Sequence, residues 1–276
     1  MGTTPRPAAG TGLQAVKERQ RTAWESGDYA RVGVMLQAMA ERLVEAAGVR
    51  AGQRLLDVAC GQGNAAIAGA RRFADATGVD YVAGLLEQGR RRAAAERLEV
   101  TFTEGDAEAL PFPDAGFDVV LSTVGVMFAP DQPRAAAELL RVTRPGGRIA
   151  LASWTPDGMI GSLFRTIGAY APPPPQVRSP MLWGTRERLA ELFGDDVEWT
   201  ALTTRTFDFA FRSPGHFTDW MMAYYGPIHR LAGTLDPAAR ERFAADLAEV
   251  PVTFDRGGDG TMLAAGEYLE AVGVRR

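Results

Sequence analysis

The chain has 276 residues, 46% of them hydrophobic, which is enough for a sizeable core and excludes global disorder. Its formal net charge of −4 argues against a nucleic-acid binder, which needs a basic surface for phosphates. The single cysteine, Cys60, excludes an intramolecular disulfide, and Lys17 is the only lysine among 30 basic residues, which leaves little room for Schiff-base chemistry.

The opening "MGTTPRPAAGTG" lacks the apolar stretch of a secretion signal and reads as a disordered tail over 1–12. No run of about 18 apolar residues occurs, so no membrane span is expected and the expected location is cytoplasmic. Residues 13–50 read as helices with a break at Gly27, because apolar residues recur at helical spacing in "VGVMLQAMAERLVEAAGV".

From 51 to 155 strands and helices alternate. Strands are predicted at 54–60, 77–82, 100–106, within 117–128 and at 147–154. Helices follow through about Phe73, over "LLEQGRRRAAAERL" and over 133–143, the last stopped by Pro145-Gly146-Gly147. This rhythm means βαβ units and an α/β fold on a parallel sheet covered on both faces. The Arg90–Arg92 run reads as a solvated helix face.

After Trp154 the rhythm changes. Pro172 to Pro175 form a stiff connector. Helices are expected over "MIGSLFRTIGAYA" and "TRERLAELFG", a long strand over 197–211, two helices capped by Ser213-Pro214 and Asp236-Pro237, and a final strand in "EYLEAVGVRR". Residues 156–276 therefore hold late strands paired at a sheet edge, with a helical insertion at about 213–255.

The chemistry starts in "LLDVACGQGNAA". Gly61 and Gly63 let the backbone approach a ligand, and the helix behind them offers free N–H groups. Gly61-Gln62-Gly63-Asn64-Ala65-Ala66 matches the dinucleotide pattern G-x-G-x-x-A, with Asp80 placed 19 residues on as a ribose acid. A dinucleotide strand, however, needs no acid at Asp57. A further acid, Asp106, ends the third strand in "EGDAEALPF", and "FDVVLS" is followed by a helix and "RPGGR".

This constellation, from Arg54 to Trp154, resembles the class I S-adenosylmethionine-dependent methyltransferases. The resemblance implies a Rossmann-like, seven-stranded, mostly parallel sheet with an antiparallel edge strand, a helical N-terminal lid and a late helical insertion. It implies S-adenosylmethionine as cofactor. Gly61, Gly63 and the Ala59 backbone would cradle its amino-acid end, with Cys60 in the same loop. Asp80 would accept from both ribose hydroxyls. Asp106 and the Ala107 N–H would meet the adenine, on which Tyr81 would pack. Asp57 would brace the glycine loop or meet the cofactor through water, and Ser122 and Thr123 would close the methionine side. The family usually has glycine where this chain has Ala59.

The stretches "SGDYARVG", "LWGTRERLAELFG" and "YYGP" look like those of bacterial methyltransferases whose substrates are mostly unassigned, which makes Tyr29 and Gly33 candidate lid residues. Methyl transfer needs alignment and a water-poor pocket more than a nucleophile or a metal, and no metal site is expected. If a general base is used, His229 and Tyr225 are the candidates. Met127, Phe128, Trp154 and Tyr224 are expected to border the acceptor, a small, apolar or aromatic metabolite of specialised metabolism. Nucleic acid and membrane are not expected partners, and a homodimer is left open. Two other readings remain: an NAD(P)-binding oxidoreductase that depends on Asp80, and a non-catalytic methyltransferase-like partner subunit.

Overall fold

The structure, a computed structural model, describes residues 9–276. Residues 1–8, where most of the expected tail falls, lie outside the described residues, and the first helix begins at Ala9 inside that tail. The N-terminal segment is α1 (Ala9–Glu25), α2 (Tyr29–Gly33), a 3₁₀ turn (Val34–Leu36) and α3 (Gln37–Ala46). The break falls at Gly27, which has φ +71°.

The central unit runs β1 (Arg54–Val58), α4 (Asn64–Ala70), β2 (Asp75–Asp80), α5 (Ala83–Ala95), β3 (Val100–Glu104), β4 (Phe117–Thr123), a 3₁₀ turn (Val126–Phe128), α6 (Gln132–Val142) and β5 (Thr143–Trp154). After it come α7 (Met159–Tyr170), α8 (Arg186–Phe193), β6 (Val197–Phe211), α9 (Pro214–Tyr224), α10 (Gly226–Thr234), α11 (Pro237–Phe254) and β7 (Met262–Arg275).

The seven strands are ordered β3-β2-β1-β4-β5-β7-β6. β1 to β5 are parallel, and β7 runs antiparallel between β5 and β6. The antiparallel strand is thus one place in from the edge, and β6 forms the edge. The sheet grows one way from β1 through β2 and β3, and the other way through β4 and β5. Right-handed crossovers then place the connecting helices on opposite faces. Leu55, Leu56 and Val58 of β1, and Val119 to Leu121 of β4, are fully buried between those layers.

Boundaries differ where tertiary pairing overrides local signals. β5 begins at Thr143, not at 147. Thr143 pairs with Phe117, and the register slips before Val119 pairs with Arg148, so Pro145-Gly146-Gly147 becomes an irregularity inside the strand. β7 begins at Met262, not at 267, because the long β6 offers partners as far as Phe211. The late insertion holds three helices, not two. "GPIHRLAGT" forms α10, entered through Pro227 in its first turn.

Candidate active site

β1 and β4 adjoin where the sheet changes direction, and a cavity of about 520 Å³ opens beyond their carboxyl ends. Its floor is the loop after β1. Gly61 and Gly63 have φ of +55° and +80°, and a Cβ on Gly63 would stand 2.6 Å from the Phe102 ring. Ala59 holds φ +53° without glycine's freedom, a strain of about 1–2 kcal/mol. Val124, at the end of β4, is also left-handed with φ +47°, an unusual state for a β-branched residue. Both strained residues line the cavity.

Two buried carboxylates hold the floor. Asp80 accepts from Gly61 N (2.8 Å) and Val82 N (2.9 Å), and so braces the glycine loop directly. Asp57 accepts from Ala66 N (3.0 Å) and ties β1 to the first turn of α4. Burial pushes the Asp57 carboxyl up to about 7, with the Asp80 charge adding to it. Burial also raises Asp80, against the backbone donors that lower it. Ser122 Oγ donates to Val58 O (2.6 Å) and accepts from Val126 N (2.9 Å), joining the ends of β1 and β4. Next to it, the Thr123 Oγ1 is buried without a hydrogen-bond partner among the described residues.

The cavity has two unlike ends. At the polar end, Tyr81 follows β2 and Asp106 follows β3. α1 covers them. Lys17 Nζ lies 2.6 Å from Asp106 Oδ2 and also pairs with Glu108, while Arg21 reaches Glu104 at 2.9 Å. Burial works against the Lys17 ammonium, and the Asp106 and Glu108 carboxylates outweigh it, so its pKa stands above the usual value. Among the described residues, the carboxylates on the cavity wall are Glu18, Asp57, Asp80, Glu104, Asp106 and Glu108, against Lys17 and Arg21 as cations.

At the other end the wall is apolar: Trp24, Leu36, Val126, Phe128 and Pro130. Trp24 stands edge-on to Tyr29 (5.3 Å, 83°), Phe128 (5.1 Å, 64°) and Tyr225 (5.5 Å, 84°). Tyr29 lies over the glycine loop, its Cε1 3.7 Å from where a Cβ of Gly61 would be. Gly33 allows this fit, since a Cβ there would meet Tyr29 at 3.2 Å and Gln62 at 3.0 Å. Gln62 Nε2 and Asn64 Nδ2 donate to the α2 carbonyls of Ala30 and Gly33, which fastens that segment to the loop.

The cavity thus brings together Tyr29, Gly33, Asp57, Ala59, Cys60, Gly61, Asp80, Tyr81, Asp106, Ala107, Thr123 and Phe128. Gly63 and Ser122 shape the wall from behind. The remaining candidates stand elsewhere. His229 is exposed, with Nδ1 2.6 Å from Ser26 Oγ, and does not line the cavity, because α10 turns it outward. Tyr225 is buried behind Trp24 and Tyr29, and burial, then Tyr29, raises its phenol well above the ordinary value, which opposes a role as base. Met127 points into the core rather than the cavity. Trp154 packs on Phe209 and Tyr268 across the sheet. Tyr224 sits against Trp220 and under the Arg31 guanidinium.

Lys17, Arg21 and Trp24 are among the cavity residues that sequence reasoning passed over. Their signal was spacing: Gln14, Lys17, Arg21 and Trp24 fall three and four apart, on one face of α1.

The family model described as "Methyltransferase domain" matches residues 55–147. An uncharacterised protein of Mycobacterium tuberculosis is 42% identical over 218 residues, spanning 78% of this chain and 79% of that one. A demethylmenaquinone methyltransferase of Deinococcus radiodurans is 40% identical over 117 residues, 41% of this chain and 48% of that one. Among solved structures, geranyl diphosphate C-methyltransferase from Streptomyces coelicolor, in complex with Mg²⁺, geranyl diphosphate and S-adenosyl-L-homocysteine, aligns with TM-score 0.52 at 19% identity, over 87% of this chain and 79% of that one.

Proposed function

The chain belongs to the class I S-adenosylmethionine-dependent methyltransferases, and from that premise we propose that it methylates an oxygen, nitrogen or carbon atom of a small, apolar or aromatic metabolite. S-adenosylmethionine, the cofactor, supplies when bound a methyl group already activated on a cationic sulfur.

The residues present fit this group. Its cationic charge suits a cavity with six carboxylates and two cations, both of them paired. Asp80 keeps lone pairs free on both oxygens after taking Gly61 N and Val82 N, enough for two ribose hydroxyls. Asp106 and the Ala107 N–H, beside Tyr81, suit an adenine. The left-handed loop at Gly61 leaves open space for an amino-acid tail, and Thr123 Oγ1 offers a buried, unsatisfied hydroxyl at the β4 end. The chain's own contribution to the reaction is alignment and exclusion of water: the α1 and α2 cover encloses the cavity over the glycine loop.

The observation that carries the acceptor class is the unlike character of the two cavity ends. The polar end matches a nucleoside. The aromatic end around Trp24 matches a flat or greasy partner. The test is incubation of the protein with methyl-labelled S-adenosylmethionine and a panel of phenols, quinols, amines, fatty acids, amino acids and charged sugars, read by mass spectrometry. Label in an aromatic or apolar member supports the reading; label confined to amino acids or charged sugars contradicts it.

A further inference from the structure

We propose that the apolar end of the cavity is an acceptor slot without a general base, with Trp24 as its specificity-determining residue, and that it takes a neutral, flat hydroxy-aromatic ring. The proposal rests on the methyltransferase reading above and narrows its substrate class.

Shape comes first. Trp24 and Phe128 lie 5.1 Å apart in a tilted edge arrangement, and Tyr29 meets Trp24 edge-on at 5.3 Å. Such rings offer a flat ligand stacking and edge contacts that a round aliphatic one cannot use. Tyr225 also packs on Trp24 at 5.5 Å, so the indole contacts three aromatic rings.

Charge comes second. Phosphate or carboxylate groups on a substrate call for Arg or Lys. Both cations on the cavity wall are already committed: Lys17 to Asp106 and Glu108, Arg21 to Glu25 and Glu104. The excess of carboxylates repels an anion. It also holds an aliphatic amine in its protonated form, where the nitrogen has no free electron pair. A neutral acceptor is what remains.

The base comes third. Among the described residues named at the aromatic end of the wall, Tyr29 is the titratable one, and burial, then the Asp80 charge, pushes its phenol up to about 12, so it stays protonated, while the Asp57 carboxyl belongs to the floor, where it accepts from Ala66 N. His229 hydrogen-bonds Ser26 at the surface, and His216 packs on Phe211 and Trp220. The acceptor's own electron pair, on a ring oxygen or on a carbon activated by it, therefore forms the bond to the methyl carbon. The electrons of the methyl–sulfur bond stay on sulfur, and the acceptor's proton passes to water.

The test uses the full chain loaded with S-adenosylhomocysteine and two probes of the same ring, 2-naphthol and 2-naphthoate, titrated by calorimetry. The naphthol is expected to bind at least about tenfold more tightly than the naphthoate. Trp24→Ala is expected to weaken naphthol about tenfold while the affinity for S-adenosylhomocysteine moves less than about threefold, and Trp24→Phe to recover most of the loss. Equal binding of the two probes, no naphthol binding, or a Trp24→Ala variant that binds naphthol normally would overturn the proposal. Should S-adenosylhomocysteine fail to bind the unaltered protein, the cofactor reading falls by itself, and naphthol binding to the unloaded chain, with its Trp24 dependence, still decides the slot.

Discussion

The two ends of the cavity are built in different ways. The polar end comes from the tips of adjacent parallel strands: Asp80 closes β2 and Asp106 follows β3 by two residues. Its groups are fixed by backbone geometry, as in the short bonds from Gly61 N and Val82 N to one carboxylate. The apolar end is assembled from distant segments. Trp24 from α1 meets Phe128 after β4, with Tyr225 from between α9 and α10 behind it. Strand ends thus build the part of the cavity proposed for the cofactor, and added helices build the part proposed for the acceptor.

The contrast can be broken from either side. The largest effect is expected at the strand ends. Asp80→Ala removes an acceptor from two backbone donors at about 1.5–3 kcal/mol each and should weaken S-adenosylmethionine binding at least about a hundredfold, measured by calorimetry. The same change should leave 2-naphthol binding within about threefold if the ends are independent.

Lys17→Met comes next. It strips the cation from Asp106 and the buried Glu108, and should lower unfolding stability by about 1–3 kcal/mol in urea titrations. Adding salt should narrow the difference between variant and parent, because the pair is partly exposed.

A pH dependence of smaller size belongs to Asp57. Its carboxyl titrates near about 7 when folded, against 3.8 ordinarily, so between those values the native state holds a proton that the unfolded chain has released. The contribution of this group to stability is therefore greatest at the acid end and declines as pH rises towards 7. A cationic ligand favours the carboxylate. Affinity for S-adenosylmethionine should rise from pH 6 to pH 8 by severalfold more than affinity for S-adenosylhomocysteine, which lacks the sulfonium charge, and Asp57→Asn should remove the difference.

The smallest effect tests strain. Ala59→Gly should raise stability by about 0.5–1 kcal/mol, since relief of the left-handed alanine exceeds the added freedom of the unfolded chain. A loss of stability would mean that the Ala59 methyl packs better than its backbone angle suggests.

The same contrast explains what could be read in the sequence. Asp57, Gly61, Asp80 and Asp106 were legible because each sits at a strand end, where local pattern and position in the fold coincide. The helical insertion was legible from its caps, with Ser213 and Asp236 accepting from His216 N and Ala239 N as expected. His229 was misleading because "YYGPI" marks a helix start but not which way that helix faces. Trp154 ends β5, where alternation sends it into a core layer, and Met127 lies in the 3₁₀ turn after β4 and is buried in the core while Val126 and Phe128 on either side of it reach the cavity. Trp24 carried no motif. Its role depends on where α1 lands, and there Lys17 pairs with Asp106, 89 residues away, and Arg21 with Glu104, 83 residues away.

The most direct test of the central claim is calorimetric titration of the purified chain with S-adenosylmethionine, S-adenosylhomocysteine and NADH, with Asp80→Ala as the control. Micromolar binding of the first two, lost in the variant, with no heat from NADH, is the predicted result. Binding of NADH alone, or unchanged S-adenosylmethionine binding by the variant, would contradict the account.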